Sequence, residues 1–358
     1  MVKSVVVHDY MQHADGGSRL CVSLGKNLEA DLCYGFRLAA HPYFSTPYPQ
    51  YEFALSKNYR IPLFKQYMLA KDFGVYRPEI DKYSHAVLSG FYAPLMAKNL
   101  SAKTLFYCHT PPRFIYDQVG FYDRQVPSAL YPVWALFKRW YKNRFEEAVN
   151  CLPLIVANSK AVKERVGKYL YRNAEIVHPP CRIEDYRWSE DEGYYLSTAR
   201  LDPLKRVGRI VEAFTKMPDK KLIVMSSGSE SDTLKKKAQG FENIQFTGAV
   251  SEQRYRDLLA KSLATIYIPV EEDFGMSPVE SMAAGKPVIG VAEGGMLEST
   301  VDGQNGILLP PDFQEEELCT AVGRVDRKFA NQRRESCMEQ AEIFSEERFV
   351  TKIRELLF

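Results

Sequence analysis

Two short segments in the second half of the chain carry charged residues that suit a phosphate-containing ligand. Arg200 and Lys205 follow a predicted strand at 194–199, and Glu272 and Glu280 flank a glycine-containing loop with seven residues between them. Fixed cations at the carboxyl edge of a parallel sheet suit a diphosphate. A solvated basic turn is the alternative for the two cations, but the acidic loop at the same predicted edge favours a ligand site.

The acidic loop joins a buried strand to a helix. An apolar run at 263–270 predicts the strand, and residues 277–280 have the pattern of a capping box, with Ser277 as N-cap and Glu280 three residues later. The amides of residues 275–277 would then lie at a helix N-terminus, which is a natural seat for phosphate.

The first half has two candidate sites of its own. Gly16 and Gly17 follow the predicted first strand, at a turn where a backbone can approach an anion closely. His109 follows the predicted strand at 104–108 and precedes two prolines, which places its imidazole at the carboxyl edge of a sheet. The alternatives are a tight turn without a ligand for the glycines, and a histidine satisfied by its own hydrogen bonds at the strand end.

Short apolar strands and helical patterns alternate in both halves, which predicts an α/β protein with parallel sheets. The length of 358 residues favours two domains. We predict an N-terminal domain at 1–178, a linker at 179–192, a C-terminal domain at 193–340, and a C-terminal helix at 341–358 that packs back toward the first domain.

Charge and cysteine content narrow the class of protein. Residues 1–180 carry a net charge of +9 and the remaining residues −7, which fits two domains facing across a cleft. The seven cysteines form no C-x-x-C pair, and no apolar run reaches the roughly eighteen residues of a membrane span. We therefore expect a cytoplasmic protein with reduced thiols. Without a nucleic-acid-binding motif, no nucleic-acid partner is expected.

Two stretches of the first half combine basic and aromatic residues. Residues 57–67 lie in a proline- and tyrosine-rich segment at 40–82 with weak periodicity, whereas residues 131–145 have helical spacing. The favoured interpretation is a solvated loop packed by its tyrosines for the first and a buried aromatic stripe for the second. Contact with a membrane surface is the alternative for both, and acceptor binding is a further one for residues 57–67.

The second half resembles the donor domain of retaining glycosyltransferases of family 4, which have the GT-B fold. Their signature of two glutamates separated by seven residues, followed by small residues and Gly-x-Pro-Val-Ile, is matched by 272–280 and 285–289. The family's Arg-x(4)-Lys pair matches Arg200 and Lys205, and its Gly-Gly, acidic and Asn-Gly pattern matches 294–306.

The resemblance extends into the first half, so that it covers nearly the whole chain. Gly16 and Gly17 resemble the family's glycine turn, which meets the donor phosphates. The segment around His109 is similar to one found in bacterial mannosyltransferases of surface-polysaccharide assembly.

The resemblance implies a GT-B fold of two Rossmann-like domains, whose parallel sheets face across a cleft. It also implies transfer of a hexose from a nucleoside diphosphate with retention at the anomeric carbon. By family analogy Arg200 and Lys205 stabilise the departing diphosphate, and Glu272 binds the sugar hydroxyls. His109 touches the sugar from the other domain, near the acceptor. The donor site that the family implies comprises Gly16, Gly17, Phe274, Gly275, Met276, Ser277 and Glu280, with Glu280 on the ribose.

GDP-mannose is the expected donor, because of the His109 segment, with UDP-glucose or UDP-GlcNAc as alternatives. A glycan or a polyprenyl-linked oligosaccharide is the expected acceptor, which would suit peripheral association with the membrane. No metal or other cofactor is expected, since the chain has no D-x-D pair. An epimerase or phosphorylase on the same fold and a non-catalytic scaffold remain as alternatives.

Overall fold

The computed structural model describes residues 3–12, 15–38 and 51–358. The chain divides into two compact units, one formed by Met1–His178 with Phe349–Phe358 and the other by Pro179–Arg348. Residues 179–192, for which the sequence predicted a linker, therefore belong to the second unit. Their Cys181 is buried in that unit's main hydrophobic core.

The first unit is built from parallel strands that alternate with helices. Its strands, among the described residues, are β1 (Ser4–His8), β2 (Asp31–Tyr34), β3 (Glu52–Ala54), β4 (His85–Ser89), β5 (Lys103–Cys108), β6 (Leu154–Ala157) and β7 (Glu175–Ile176). The α-helices of the same residues are α1 (Gly16–Leu28), α2 (Pro62–Phe73), α3 (Val119–Asp123), α4 (Tyr131–Asn150) and α5 (Lys160–Leu170).

The second unit repeats this alternation. Its strands are β8 (Tyr194–Ser197), β9 (Lys221–Met225), β10 (Ile244–Gly248), β11 (Ala264–Ile266), β12 (Val288–Val291) and β13 (Gly306–Leu309). Its α-helices are α6 (Val207–Thr215), α7 (Ser231–Lys237), α8 (Glu252–Lys261), α9 (Met276–Ala283), α10 (Met296–Ser299), α11 (Glu315–Arg324) and α12 (Arg327–Glu342). The last helix, α13 (Glu346–Leu357), enters the first unit at Phe349.

Strand order places a topological switch point in each sheet. The first sheet has the order β3-β2-β1-β4-β5-β6-β7, and the second has the order β10-β9-β8-β11-β12-β13. All the strand pairs are parallel. Connections therefore leave in opposite directions from β1 and β4, and again from β8 and β11. Open α/β sheets bind ligands outside the carboxyl ends of strands at such points. The carboxyl edges of the two sheets are therefore the expected ligand sites.

Apolar side chains cover both faces of each sheet, as expected for strands buried between helices. In the first unit, α2, α4 and α5 pack on one face and α1 packs on the other. Helix α13 joins α1 there, because Phe349, Ile353 and Leu357 are buried beside it. The aromatic stripe predicted for residues 131–145 is present on α4, where Trp134 and Phe137 are buried.

Local structure differs from the sequence prediction at two places in the first unit. The loop predicted within 40–82 is wrong for Pro62–Phe73, which forms α2; residues 39–50 of that segment lie outside the described residues. Helix α1 begins at Gly16, because the side chain of Asp15 accepts a hydrogen bond from the Ser18 amide at 2.8 Å. Gly16 and Gly17 are therefore helical residues rather than a preceding turn.

No helix among residues 3–12, 15–38 and 51–358 is both long enough and apolar enough to cross a membrane.

Candidate active site

The loops after β8 and β11 meet at the switch point of the second sheet. The amide of Val270, after β11, donates to the carbonyl of Leu204 at 2.8 Å, which joins the two loops through their backbones. The turn after β9 packs against the same place, since a Cβ on Gly228 would lie 2.3 Å from the carbonyl oxygen of Leu201. Three loops therefore form one surface at the carboxyl edge of the sheet.

A lysine, a glutamate and a tyrosine form a hydrogen-bonded cluster on this surface. Lys205 Nζ lies 2.5 Å from Glu272 Oε2 and 3.2 Å from Tyr267 Oη, and the tyrosine hydroxyl donates to Glu272 Oε2 at 3.0 Å. The side chains of Lys205 and Glu272 are only 18% and 16% exposed. The cluster holds the ammonium and the carboxylate at one point of the sheet edge.

Charge pairing keeps Lys205 ionised despite its burial. Burial alone would lower the pKa of Lys205, but Tyr267 and Glu272 outweigh it and raise the pKa above its usual range. Burial and Glu272 raise the pKa of Tyr267, so that it stays a neutral donor. A fixed positive charge therefore stands at the switch point at all physiological pH values.

Arg200 is placed differently from Lys205, although the sequence pattern pairs them. Its side chain is 77% exposed, and its guanidinium lies 3.6 Å from Asp202 of the same loop. Lys205 and Glu272 are thus brought together, whereas Arg200 lies at the surface of the unit. An exposed arginine of this kind costs little to reorient toward a bound anion.

Close backbone packing shapes the loop that carries Glu272. The amide of Gly295 donates to the carbonyl of Glu272 at 2.8 Å, and a Cβ on Gly294 would lie 2.3 Å from that oxygen. A Cβ on Gly295 would lie 2.4 Å from the Cα of Phe274. Only glycines allow this approach, so the Gly-Gly pair of the sequence motif lets the two backbones pack together and hold the acidic loop in place.

The residues predicted to hold donor phosphate lie at the start of α9. Phe274 is buried against Phe344, with ring centroids 5.3 Å apart, and Gly275 is the N-cap with a φ of 84°. Met276 and Ser277 are the first two helical residues. Amides in the first turn of a helix lack intrahelical partners and point along the axis, as anion binding requires.

The predicted capping box at residues 277–280 is wrong. Because Gly275 adopts positive φ, the helix begins at Met276 and no side chain caps it, which leaves Ser277 and Glu280 inside the helix. Glu280 is 5% exposed, and its carboxylate accepts a hydrogen bond from the hydroxyl of Tyr255 on α8. Helix capping therefore does not explain the second glutamate of the motif.

The carboxyl edge of the first sheet carries two histidines joined through one serine. His109 follows β5, and its Nε2 is 2.8 Å from the hydroxyl of Ser89, the last residue of β4. His8 is the last residue of β1, and its Nδ1 donates to the carbonyl of Ser89 at 3.2 Å. His8 and Ser89 end β1 and β4, and His109 directly follows the neighbouring strand β5, so the arrangement lies at this sheet's switch point.

The two histidines have opposite charge states. Burial lowers the pKa of His109 to about 4, and the charge of His8 lowers it further, while Asp15 acts in the other direction. Burial also disfavours a charged His8, but Cys21, Asp9 and Asp15 outweigh it and raise the pKa of His8 to about 9. Near neutral pH His109 is therefore a neutral hydrogen-bonding group beside an imidazolium.

The N-terminus of α1 lies over this histidine pair. A Cβ on Gly17 would lie 3.3 Å from Cε1 of His8, whereas Gly16 has open space around it. The carboxylate of Asp9 accepts hydrogen bonds from the amides of Phe91, Tyr92 and Ala93 at 2.8, 2.7 and 2.9 Å. Asp9 thus holds the loop after β4 in place beside His8.

Sequence reasoning missed four residues of these two edges: His8, Ser89, Tyr255 and Tyr267. Three of them had a recognisable signal, since His8 and Ser89 end strands and Tyr267 directly follows β11. Polar residues at the carboxyl ends of adjacent parallel strands meet at one edge. Tyr255 had no such signal, because it lies within α8 and only tertiary packing brings it to Glu280.

No group of three or more His, Cys, Asp or Glu side chains suited to holding a metal ion occurs in the part of the chain that the structure describes.

Comparison with known proteins identifies the second unit. Residues 181–342 match the sequence model of the family described as glycosyl transferases group 1. The alpha-1,3/1,6-mannosyltransferase ALG2 of Dictyostelium discoideum is 26% identical over 288 residues, which are 65% of each chain. N-acetyl-alpha-D-glucosaminyl L-malate synthase of Bacillus anthracis is 30% identical over 131 residues, which are 35% of this chain and 34% of that protein. The chain thus spans less than two thirds of the length of either relative.

Solved structures extend the similarity of fold to both units. Anabaena Alr3699/HepE, solved in complex with UDP, superposes with a TM-score of 0.77 at 17% identity and covers 99% of both chains. The chain therefore has the GT-B fold, and residues 181–342 match the glycosyl transferases group 1 family.

Proposed function

We propose that the chain is a retaining glycosyltransferase that moves mannose from GDP-mannose to a glycan or polyprenyl-linked oligosaccharide in polysaccharide synthesis. The observation that carries the proposal is the Lys205–Glu272–Tyr267 cluster at the switch point of the second sheet. Its paired ammonium offers a fixed charge where a sugar-diphosphate would lose its leaving group. The name of the Dictyostelium relative supports mannose as the sugar.

The proposed reaction breaks the bond between the anomeric carbon and the diphosphate oxygen. The electron pair leaves with the diphosphate, whose growing negative charge Lys205 and Arg200 stabilise together with the amides of Gly275, Met276 and Ser277. The acceptor hydroxyl attacks from the same face, and its proton passes to the departing phosphate oxygen. Glu272 binds sugar hydroxyls and holds Lys205 in place. A covalent glycosyl-enzyme trapped on any carboxylate would contradict this route.

Neutral His109 is proposed to bind a hydroxyl of the transferred sugar. A neutral imidazole both donates and accepts hydrogen bonds, as recognition of a hydroxyl requires. Glu280 is proposed to bind the ribose of the donor, and Gly16 and Gly17 to let its phosphates approach α1. No metal ion takes part in this proposal, so transfer should persist in EDTA.

A UDP-hexose is the second candidate donor. It is favoured by HepE, which was solved with UDP, and by the glucosaminyl group in the name of the Bacillus relative. Thermal-shift measurements with GDP, UDP and ADP separate the candidates, since a ligand at a hundred times its Kd should add about 2.7 kcal/mol of stability. We expect GDP to stabilise the protein most; stabilisation by UDP alone would contradict GDP-mannose.

Turnover and stereochemistry are tested on the same protein. We expect GDP release from GDP-mannose only in the presence of acceptor, and proton NMR of the product should show an α linkage. Release of a different sugar epimer without acceptor would indicate an epimerase, dependence on orthophosphate would indicate a phosphorylase, and binding without any turnover would indicate a scaffold.

A cytoplasmic location on the inner face of the membrane completes the proposal. The seven cysteines, all within the described residues, are thiols without a disulfide, and five of them are buried, as in proteins of reducing compartments. A lipid-linked acceptor would bring the enzyme to the bilayer surface.

A further inference from the structure

The first unit exposes large apolar side chains on the leading halves of two helices. Helix α2 and the residue before it expose Ile61, Phe64 and Tyr67, and α4 exposes Val133 and Leu136. Ile61 and Leu136 are the most exposed of them, at 67% and 69%, and contiguous exposed apolar side chains mark interaction sites. We call these five residues the apolar helix surface.

The two helices present one continuous surface. Both bury their other faces in the same hydrophobic core, through residues such as Phe73 on α2 and Phe137 on α4. The rings of Tyr67 and Trp140 are in contact, with centroids 5.3 Å apart. Phe64 and Leu136 each lie about one turn before these rings, so the exposed side chains of the two helices continue from the same junction.

The apolar helix surface lies at the carboxyl edge of the first sheet. In a parallel α/β sheet, the helix that follows a strand begins near the carboxyl edge and runs back toward the amino edge. The exposed apolar residues occupy the first halves of α2 and α4, whereas Lys142, Asn143 and Arg144 are exposed on the second half of α4. The apolar helix surface is therefore at the sheet edge that carries His109.

Positive charge surrounds the apolar side chains. Lys57, Arg60 and Arg139 are exposed, and none of them has a carboxylate partner among the described residues. The guanidinium of Arg144 lies 5.3 Å from the ring centre of Trp140. Asp123, whose carboxylate contacts the first turns of α4, is already bonded to Lys138 at 2.6 Å and to Trp134 Nε1 at 2.7 Å. The border of the surface is thus cationic.

We propose that the apolar helix surface docks on an anionic lipid bilayer, with its side chains in the interface and the surrounding cations on lipid headgroups. Apolar residues flanked by uncompensated cations match the interface of such a bilayer, which is apolar within and negatively charged outside. A protein partner or a second copy of this chain would need its own complementary acidic rim.

Docking in this orientation would present the carboxyl edge of the first sheet to the membrane. It deepens the proposed function, because a polyprenyl-linked acceptor would reach His109 from the bilayer. The surface is defined without reference to the donor or to the reaction. Membrane binding can therefore fail while transfer to a soluble acceptor persists, and the reverse can also occur.

Sedimentation with lipid vesicles tests the proposal. The full chain is mixed with vesicles of phosphatidylcholine alone and of phosphatidylcholine with phosphatidylglycerol, at low and high salt. We expect binding to the phosphatidylglycerol vesicles that weakens with salt. The affinity of the double variant Phe64→Ser, Leu136→Ser for these vesicles should be at least about tenfold lower, since binding scales with the apolar area inserted.

Tyr171→Ser is the matched control, because Tyr171 is an equally large and 89% exposed side chain of the same unit. It follows the last turn of α5, at the other end of the helical layer. Circular dichroism melting should be unchanged in all the variants, since the substituted side chains are exposed.

Equal vesicle binding by wild type and the double variant would overturn the proposal, as would an absence of binding by the wild-type protein. Sedimentation velocity without lipid tests whether a second copy of this chain occupies the surface instead of a bilayer. A wild-type dimer that the double variant converts to a monomer would show that the surface joins two copies instead. A monomeric wild type that binds the anionic vesicles and loses binding only in the double variant supports membrane docking.

Discussion

The carboxyl edge of each sheet holds a partly buried ionisable group, and one of these groups is neutral whereas the other is positively charged. His109 on the first sheet contacts the uncharged hydroxyl of Ser89, and burial lowers its pKa to about 4. Lys205 on the second sheet is also partly buried, but Tyr267 and the carboxylate of Glu272, which lies 2.5 Å away, raise its pKa. Burial alone would neutralise either group; a charged partner decides the outcome.

This difference suggests a division of chemical work between the edges. An ammonium held by a carboxylate offers a permanent positive charge to a departing diphosphate, whereas a neutral imidazole offers hydrogen bonds to a sugar hydroxyl. The predictions below change one edge at a time, beginning with the largest expected effect.

Lys205→Met should lower the rate of sugar transfer by on the order of 10²–10³-fold, because it removes the fixed charge that faces the leaving group. Steady-state kinetics with GDP-mannose and a soluble acceptor measure the loss. The comparison variant is Arg200→Ala, whose side chain is 77% exposed. We expect it to lose about tenfold in rate with no change in melting temperature. A loss in Lys205→Met no larger than in Arg200→Ala would contradict the assigned charge role.

His109→Ala should lower kcat by about 10- to 100-fold, the effect of removing one hydrogen bond to the reacting sugar. The Kd of the free nucleotide, measured by calorimetry, should stay unchanged, because the imidazole is assigned to the transferred sugar and not to the nucleotide. Ser89→Ala leaves the imidazole in place without its 2.8 Å hydrogen bond, and a smaller loss in kcat is expected. If the nucleotide Kd rose in step with the loss of activity, the two edges would not divide the work as described.

Glu280→Gln should weaken nucleotide binding about tenfold, because it replaces a carboxylate by an amide at the proposed ribose site. Its fold should persist, since glutamine keeps the size and an acceptor oxygen for the Tyr255 hydroxyl. Tyr255→Phe removes that hydrogen bond alone and serves as the control for stability. Should both variants lose stability equally while binding nucleotide normally, Glu280 would be a structural residue.

The stability of the first unit should be greatest near pH 6.5. The raised pKa of His8, about 9, means that its charged form stabilises the fold below pH 6.5, and this contribution is lost as the pH rises through 9. The lowered pKa of His109, about 4, gives a contribution that is present above pH 6.5 and is lost as the pH falls toward 4.

Hydrogen exchange of the amides in β1, β4 and β5 measures this dependence, with a loss of about 3 kcal/mol expected on each side. His8→Gln should flatten the alkaline side and also weaken the acid side, because the charge of His8 helps to lower the pKa of His109, whereas His109→Gln should flatten the acid side only. A profile that both variants leave unchanged would show that other groups control the pH dependence of the unit.

Much of the arrangement follows from sequence pattern alone. Alternating apolar runs and helical patterns predict two parallel sheets, and polar residues after those runs must reach the carboxyl edges because parallel strands share one direction. Lys205, Glu272 and His109 are placed at such edges in this way. The Gly294-Gly295 pair is likewise recognisable in the sequence, and its reason is a close backbone approach that a side chain would block.

Other features arise only from tertiary packing. Residue spacing pairs Arg200 with Lys205, yet only Lys205 meets Glu272, because the joined loops of β8 and β11 bury one cation and leave the other exposed. The pattern at residues 277–280 fits a capping box, but Gly275 starts the helix earlier and α8 brings Tyr255 to Glu280. Local sequence determines which residue types reach a sheet edge. Which of them are buried, paired and charged depends on neighbours distant in sequence, whose approach no local pattern encodes.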